Sequence, residues 1–338
     1  MVVKQALLSA AGSPAFAQMV SLLERLDWDR PNGLAVLTYH RVDEPGAHPH
    51  LSPALVSATP DSFDEQMSHL AAHAHVVSAQ DVIDVYQKGA TLPPRAAMVT
   101  FDDACSDFAE NAWPILKRYH LPVTLFVPTA FPDHPERTFW WDALHQALSS
   151  TARPHLDTPA GRFLLGTADQ RRRAYKQLRD YVKSLDHDEA MAWVNRTCDE
   201  LGVTPVQNNV LGWEALRQLA REGVTLGAHT QTHPLMNRVS PERARAEATG
   251  SLRDLEREIG PVLPILAYPG GGFDNEVVRG LERDGFALAF TTVRGLNDLR
   301  GADRLRLRRI NVGLRTPLAA IRVQLLPVMV HLNRWQTV

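Results

Sequence analysis

The chain is poor in cysteine, in surplus charge and in long apolar runs. Cys105 and Cys198 are its two cysteines in 338 residues, too few for a disulfide framework. That usage fits a reducing compartment. Lys and Arg number 36 against 38 Asp and Glu, so the net charge is -2. With no basic surplus to hold a phosphate backbone, nucleic acid is not an expected partner. No run approaches the ~18 apolar residues that a membrane-spanning helix needs. Nor is there an internal repeat or a low-complexity tract. Residues 1–18 carry one Lys, and their short apolar stretch is broken by Gly12, Ser13 and Pro14. This reads as an amphipathic helix rather than an export signal, which makes the cytoplasm the expected location. The hydrophobic share of 44% and charged share of 22% are those of a soluble globular chain, and they exclude a disordered one. Histidine is abundant, with 14 residues. It is both the commonest metal ligand and the side chain that titrates near neutrality.

Short apolar runs alternate with longer helical stretches, the pattern of an α/β protein. Residues 34–40, 97–101, 123–127, 224–228, 262–268, 287–292 and 305–312 read as strands. Residues 108–119, 138–149, 213–221 and 240–259 read as helices, the last with Ser240 as N-cap and Pro241 in its first turn. Between residues 168 and 201 the composition turns polar and helical. There Arg171-Arg172-Arg173 reads as a solvated helix face, with contact to a phosphate of a lipid-linked or anionic glycan as the alternative. The expected organisation is an N-terminal helical extension over 1–33 and one main domain over 34–315. That domain would carry a helical insertion at about 150–212, and a C-terminal helix would follow over 316–338. The apolar stretch 318–332, interrupted by Pro327, is expected to pack on the domain. Peripheral contact with a membrane surface is its alternative fate.

Several polar clusters fall just after strands: His40, Asp102-Asp103, His229 and the loop at Pro269. In a parallel barrel that edge is where active sites assemble. Two adjacent acids at a strand end point in different directions, so one can ligate a cation while the other faces its open position. N-capping of the next helix is the alternative. His229-Thr230-Gln231-Thr232-His233 spaces two imidazoles so that they converge on one helical turn or in a short loop. Two His with one carboxylate form a common set for a divalent ion with open positions. Cys105 reads as a buried structural thiol.

Taken together and in order, Thr100-Phe101-Asp102-Asp103 and His229-Thr230-Gln231-Thr232-His233 resemble the two leading motifs of the polysaccharide deacetylases. These are the NodB-homology proteins of carbohydrate esterase family four. Tyr268-Pro269-Gly270 resembles their third motif. Leu37-Thr38-Tyr39-His40-Arg41-Val42 is similar to the opening of the branch that includes poly-N-acetylglucosamine deacetylases. The resemblance covers approximately residues 34–312. It implies a distorted (β/α) barrel with about seven strands, and metal-dependent removal of acetyl groups from N-acetylated sugars. By motif position it makes Asp103, His229 and His233 the metal ligands and Asp102 the general base. The Gly270 N–H would donate to the oxyanion, and His40 would line the active site. Tyr268 and Pro269 would stand beside the saccharide substrate. Zinc is the expected cofactor, with cobalt, nickel, manganese or iron also suited to the donor set.

Three departures from the family pattern bear on the chemistry. Ala104 stands where a glycine usually follows the acidic pair, a change that an unstrained backbone accommodates. Ala267 stands where an arginine usually orients the base. The run Arg304-Leu305-Arg306-Leu307-Arg308-Arg309-Ile310-Asn311 alternates with period two, so Leu305, Leu307, Arg309 and Asn311 share a face. With the leucines inside the barrel, Arg309 would supply the missing guanidinium. The family's C-terminal Leu-x-His is also absent, which leaves His40 as the candidate acid. Of the adjacent pair Trp140 and Trp141, one is expected in the core and one as a platform for a sugar ring. Two other functions stay open on sequence alone: a catalytically degenerate sugar-binding barrel, and an amidase acting on a non-sugar amide.

Overall fold

The computed structural model describes residues 18, 20–22, 32–206 and 209–326. The expected N-terminal helix, apart from Gln18, and the kink at Pro327 lie outside the described residues. The strands in chain order are β1 (Gly33–Tyr39), β2 (Arg41–Val42), β3 (Val56–Ala58), β4 (His75–Val76), β5 (Ala96–Phe101), β6 (Val123–Val127), β7 (His155–Thr158), β8 (Gly161–Leu164), β9 (Thr225–Ala228), β10 (Ile265–Ala267), β11 (Leu288–Arg294), β12 (Asn297–Asp298) and β13 (Leu307–Asn311). Seven of them close a barrel in the order β1, β13, β11, β10, β9, β6, β5, with β5 paired back onto β1. Every pairing around the ring is parallel. Each of the seven runs read as a strand forms one stave. The expected distorted barrel of about seven strands is the fold.

Period-two alternation sorts the side chains into two layers. One set, including Leu34, Val36, Met98, Phe126, Ile265, Phe290 and Leu307, forms one buried cluster in the barrel. The neighbouring positions, including Leu37, Tyr39, Val99, Phe101, Leu125, Leu226 and Leu266, pack in a second cluster with the surrounding helices. Towards the C-terminal ends of the strands the inward positions turn polar, and Thr38 and Thr100 share a hydrogen bond of 3.2 Å. Phe126 and Phe290 meet at 5.4 Å between ring centroids although their strands are not neighbours. The barrel is therefore filled below and polar at its mouth.

Several helical and strand elements differ from the sequence reading. Helices Pro60–His73 and Ala79–Lys88 precede β5, the second opened by a capping box between Ser78 and Asp81. Phe108–Ala112 is a single π-turn before the helix Trp113–Arg118. Pro114 lacks the N–H that an α-helical ladder needs there. The insertion is not wholly helical. It opens with the antiparallel hairpin β7–β8 and continues as helices Ala168–Ser184 and His187–Leu201. Leu156, Phe163, Leu178, Val194 and Leu201 bury a core of its own against helix Trp140–Ser150. Arg171 is not a solvated side chain. It donates to the carbonyls of Leu165, Ser149 and Thr151 and so ties the insertion to that helix. Helix Leu318–Leu325 buries Ile321. Among the described residues no helix is long and apolar enough to cross a membrane.

The fit inside the barrel is tight at Gly227. A Cβ there would stand 2.7 Å from the Phe126 ring and 3.0 Å from Ile265 Cγ1. Gly227→Ala is expected to lower unfolding stability in urea by about 1–3 kcal/mol through overpacking. Adding Phe126→Leu should return part of that loss. Simple addition of the two penalties would contradict this packing.

Candidate active site

The acidic pair leaves β5 at the barrel mouth, and its two carboxylates are buried in different surroundings. Asp102 Oδ1 and Oδ2 accept from Arg309 Nη1 and Nη2, both at 2.8 Å. Arg309 Nε donates to the Thr291 carbonyl at 2.7 Å, and the residue is 0% exposed. On β13 the alternation puts Leu307 and Arg309 inside, whereas Leu305, which precedes the strand, packs in the outer cluster. Burial opposes ionisation of Asp102, but the charge and hydrogen bonds of Arg309, together with the nearby histidines, outweigh it and hold the carboxyl below its ordinary value.

Asp103 turns away from that pair. Its backbone is left-handed at φ 72°, and Ala104 follows at φ 49°. Ala104 therefore sits in a conformation that favours glycine, so the condition of an unstrained backbone is not met there. Asp103 Oδ1 is buried and has no hydrogen-bond donor. Nε2 of His229 lies 3.5 Å from it and Nε2 of His233 lies 3.3 Å from it. Burial is again opposed, here by the two histidines, and Asp103 is held well below its usual range. Its charge in turn lifts His229 despite burial, while burial keeps His233 low.

This is the one group of three His, Cys, Asp or Glu side chains among the described residues that is arranged to hold a metal ion. A tetrahedral ion with ~2.1 Å bonds has ligand-to-ligand edges of about 3.4 Å. The two separations and the donorless oxygen fit that demand. His229 Nδ1 pairs with the Ala267 carbonyl at 2.8 Å, which leaves the Nε2 lone pair for a cation. The residues present thus fit a divalent cation.

The loop carrying the histidines is anchored by residues that the sequence reading missed. Glu247, on helix Pro241–Ile259, accepts from the backbone N–H groups of Gln231 and Thr232 and from the Thr232 hydroxyl, at 2.9, 2.8 and 2.6 Å. Asp254, two turns further along, accepts from Gln231 Nε2 and Thr129 Oγ1. Thr230 and His233 are left-handed at φ 62° and φ 59°, and these bonds hold the turn in place. Nothing local marks Glu247 or Asp254 in a helix rich in charge. Their seven-residue spacing on one helix face is the only signal.

Above the site lies a cleft lined by His40, Asp102, Asp103, His229, His233 and Gly270, among others. Trp141 belongs to a buried cluster with Phe131 and Phe139, Trp140 is partly buried beside it, and both line the cleft. Trp141 stacks on Phe139 at 4.4 Å and meets the His233 ring edge-on at 5.0 Å. Its Nε1 is buried without an acceptor. Arg41 holds this helix down. It is 2% exposed and pairs with Asp142 at 2.7 Å, while Asp142 also accepts from the Ser52 N–H. Tyr268 does not reach the cleft. It is 0% exposed, and its hydroxyl donates to the Leu305 carbonyl, so its expected contact with substrate is corrected to a packing role. Pro269 is likewise buried, and from that turn it is Gly270, at φ 55°, that faces the cleft. Cys105 is buried, and that burial pushes its thiol up, away from reactivity.

The profile of the family described as polysaccharide deacetylase matches residues 89–154 and 155–289, more than half of the chain. A poly-beta-1,6-N-acetyl-D-glucosamine N-deacetylase of Staphylococcus epidermidis is 31% identical over 115 residues, which are 31% of this chain and 39% of that protein. A putative polysaccharide deacetylase of Bacillus subtilis, YxkH, is 24% identical over 82 residues, covering 24% of this chain and 29% of that one. The matches thus span less than half the length of these curated relatives. Among solved structures, the Streptococcus pyogenes deacetylase PplD in complex with acetate superposes with a TM-score of 0.60 at 19% identity. The overlap covers 88% of this chain and 100% of that one. IcaB from Ammonifex degensii gives 0.55 at 17% identity over 88% and 98%. At such identities the two structures speak for the fold alone.

Because Glu247 fixes the loop rather than touching an ion, Glu247→Gln should leave the chain folded and weaken its zinc affinity by about tenfold. Competition against a chromogenic chelator measures this. Unchanged affinity would show that the loop holds its shape without the Glu247 bonds.

Proposed function

Because the chain belongs to the polysaccharide deacetylase family, we propose that it is a hydrolase that removes acetyl groups from the N-acetylated sugars of an oligo- or polysaccharide. The carrying observation is the separation of two adjacent buried carboxylates, one on Arg309 and the other between two histidines, at the floor of one cleft. The name of the staphylococcal relative supports an N-acetylglucosamine polymer as substrate class.

In this reading Asp103, His229 and His233 hold a divalent cation, with zinc the best match to the donor set. When bound, the cation supplies Lewis acidity, lowering the pKa of water and polarising the acetyl carbonyl. Asp102 accepts the proton of the attacking water, and the Arg309 fork holds it ionised and aimed. Arg309 thereby takes the place of the arginine missing at Ala267. The Gly270 N–H donates to the oxyanion of the tetrahedral intermediate, a contact typically worth ~3 kcal/mol in the transition state. His40, at the end of β1 and on the cleft wall, delivers the proton to the departing amine. Trp140 and Trp141 wall the cleft, offering a face for the sugar ring.

Acetate release from a panel of N-acetylated saccharides after zinc loading tests this directly. Asp102→Asn should keep one ion per chain and lose about 10²–10⁴-fold in turnover. His233→Ala should lose both ion and turnover. A chain that takes one ion per molecule yet frees no acetate from any saccharide would point instead to a sugar-binding barrel.

A further inference from the structure

The insertion gives the cleft a wall of unusual charge. Helix Ala168–Ser184 presents Arg179 and Lys183 to it, four residues apart, and Arg238 faces it from beyond the histidine loop. The acids lining the same cleft are Asp102 and Asp103, both already committed at its floor. Lys183 and Arg238 have no ion pair or hydrogen bond among the described residues. Arg179 has only Asp180 at 3.6 Å, and its Nε is buried without a partner. Like charges at this spacing on a helix repel. Three cations around one cleft, of which Arg179 alone has an acid within ion-pair reach, set up a positive potential that would draw in an anionic ligand. Beside them, Val182, Leu185, Ala190 and Met191 give the same wall an apolar strip.

We propose that the cleft takes an N-acetylated sugar that carries a phosphoryl group, with the phosphoryl oxygens against Arg179, Lys183 and Arg238. The proposal rests on the deacetylase reading above and narrows its substrate. An N-acetylglucosamine polymer is neutral and gains nothing from this wall, and its deacetylated product is a polycation that the wall repels, whereas a glycosyl phosphate or diphosphate would be drawn in. Arginine forks suit phosphate oxygens, and an ammonium adds a point charge. A nucleoside diphosphate sugar and a polyprenyl diphosphate sugar share this chemistry, and the apolar strip favours the polyprenyl form.

The test uses the full chain loaded with zinc. Acetate release is measured on three substrates: a neutral N-acetylglucosamine oligosaccharide, a nucleoside diphosphate N-acetylhexosamine and a short-chain polyprenyl diphosphate N-acetylhexosamine. The expected result is a kcat/KM about tenfold or more higher for at least one phosphorylated substrate than for the neutral one. That ratio should fall towards one in the triple variant Arg179→Gln, Lys183→Gln, Arg238→Gln. Binding of the same substrates to Asp102→Asn, followed by calorimetry, should show the same preference and weaken with added salt. The two phosphorylated arms identify the carrier. Equal or better use of the neutral oligosaccharide, or a triple variant with an unchanged ratio, overturns the proposal and leaves the deacetylase reading intact. Tight, salt-sensitive binding of a phosphorylated sugar without acetate release from any substrate would uphold the phosphoryl site and count against the deacetylase reading.

Discussion

Two carboxylates adjacent in the chain and buried at one barrel mouth cannot both stay ionised unless each has its own compensation. The structure meets that constraint by splitting them. Asp102 takes a guanidinium through two hydrogen bonds, and Asp103 is turned by a left-handed backbone towards two imidazoles. The split depends on closure of the barrel. β13 lies beside β1, and β1 beside β5, so Arg309 reaches Asp102 across a sequence separation of 207. An open sheet would leave them apart. Under the proposed function the same split assigns two chemical tasks, holding an ion and moving a proton, to neighbouring positions.

Several residues are held in costly conformations to reach this arrangement. Asp103, Ala104, Thr230 and His233 are all left-handed, at roughly 1–3 kcal/mol for such a residue. They persist because the surroundings over-determine them. Glu247 and Asp254 fix the histidine loop from behind. Arg41 and Asp142 fix the tryptophan helix from the other side. Four left-handed side-chain-bearing residues thus gather at the mouth, above an apolar interior packed to the contact limit at Gly227.

The staves were legible because a closed parallel barrel buries both faces of each strand, so each reads as an apolar run. Asp102, Asp103, His229 and His233 were legible as a set because polar residues at strand ends interrupt those runs abruptly. Arg309 followed from the resemblance, which left an arginine missing at Ala267, together with the alternation that puts Leu307 and Arg309 on one face, although Leu305 does not share it. What stayed hidden had no local mark. Glu247 sits in a helix full of charges, and only its three bonds to a distant loop set it apart. Arg41 and Asp142 pair across a sequence separation of 101. The hairpin β7–β8 and helix Pro60–His73 have short or diluted apolar patterns that tertiary packing completes. Tyr268 was misplaced because a motif position does not say which way a side chain faces.

The central claim is that one divalent cation sits among Asp103, His229 and His233 while Asp102 stays on Arg309. Anomalous diffraction at the zinc edge from zinc-loaded crystals tests it most directly. The account predicts a single peak within bonding distance of one Asp103 oxygen and both Nε2 atoms, with the Asp102–Arg309 fork intact. A peak ligated by Asp102 with Arg309 swung away, or no peak among these residues, would contradict it.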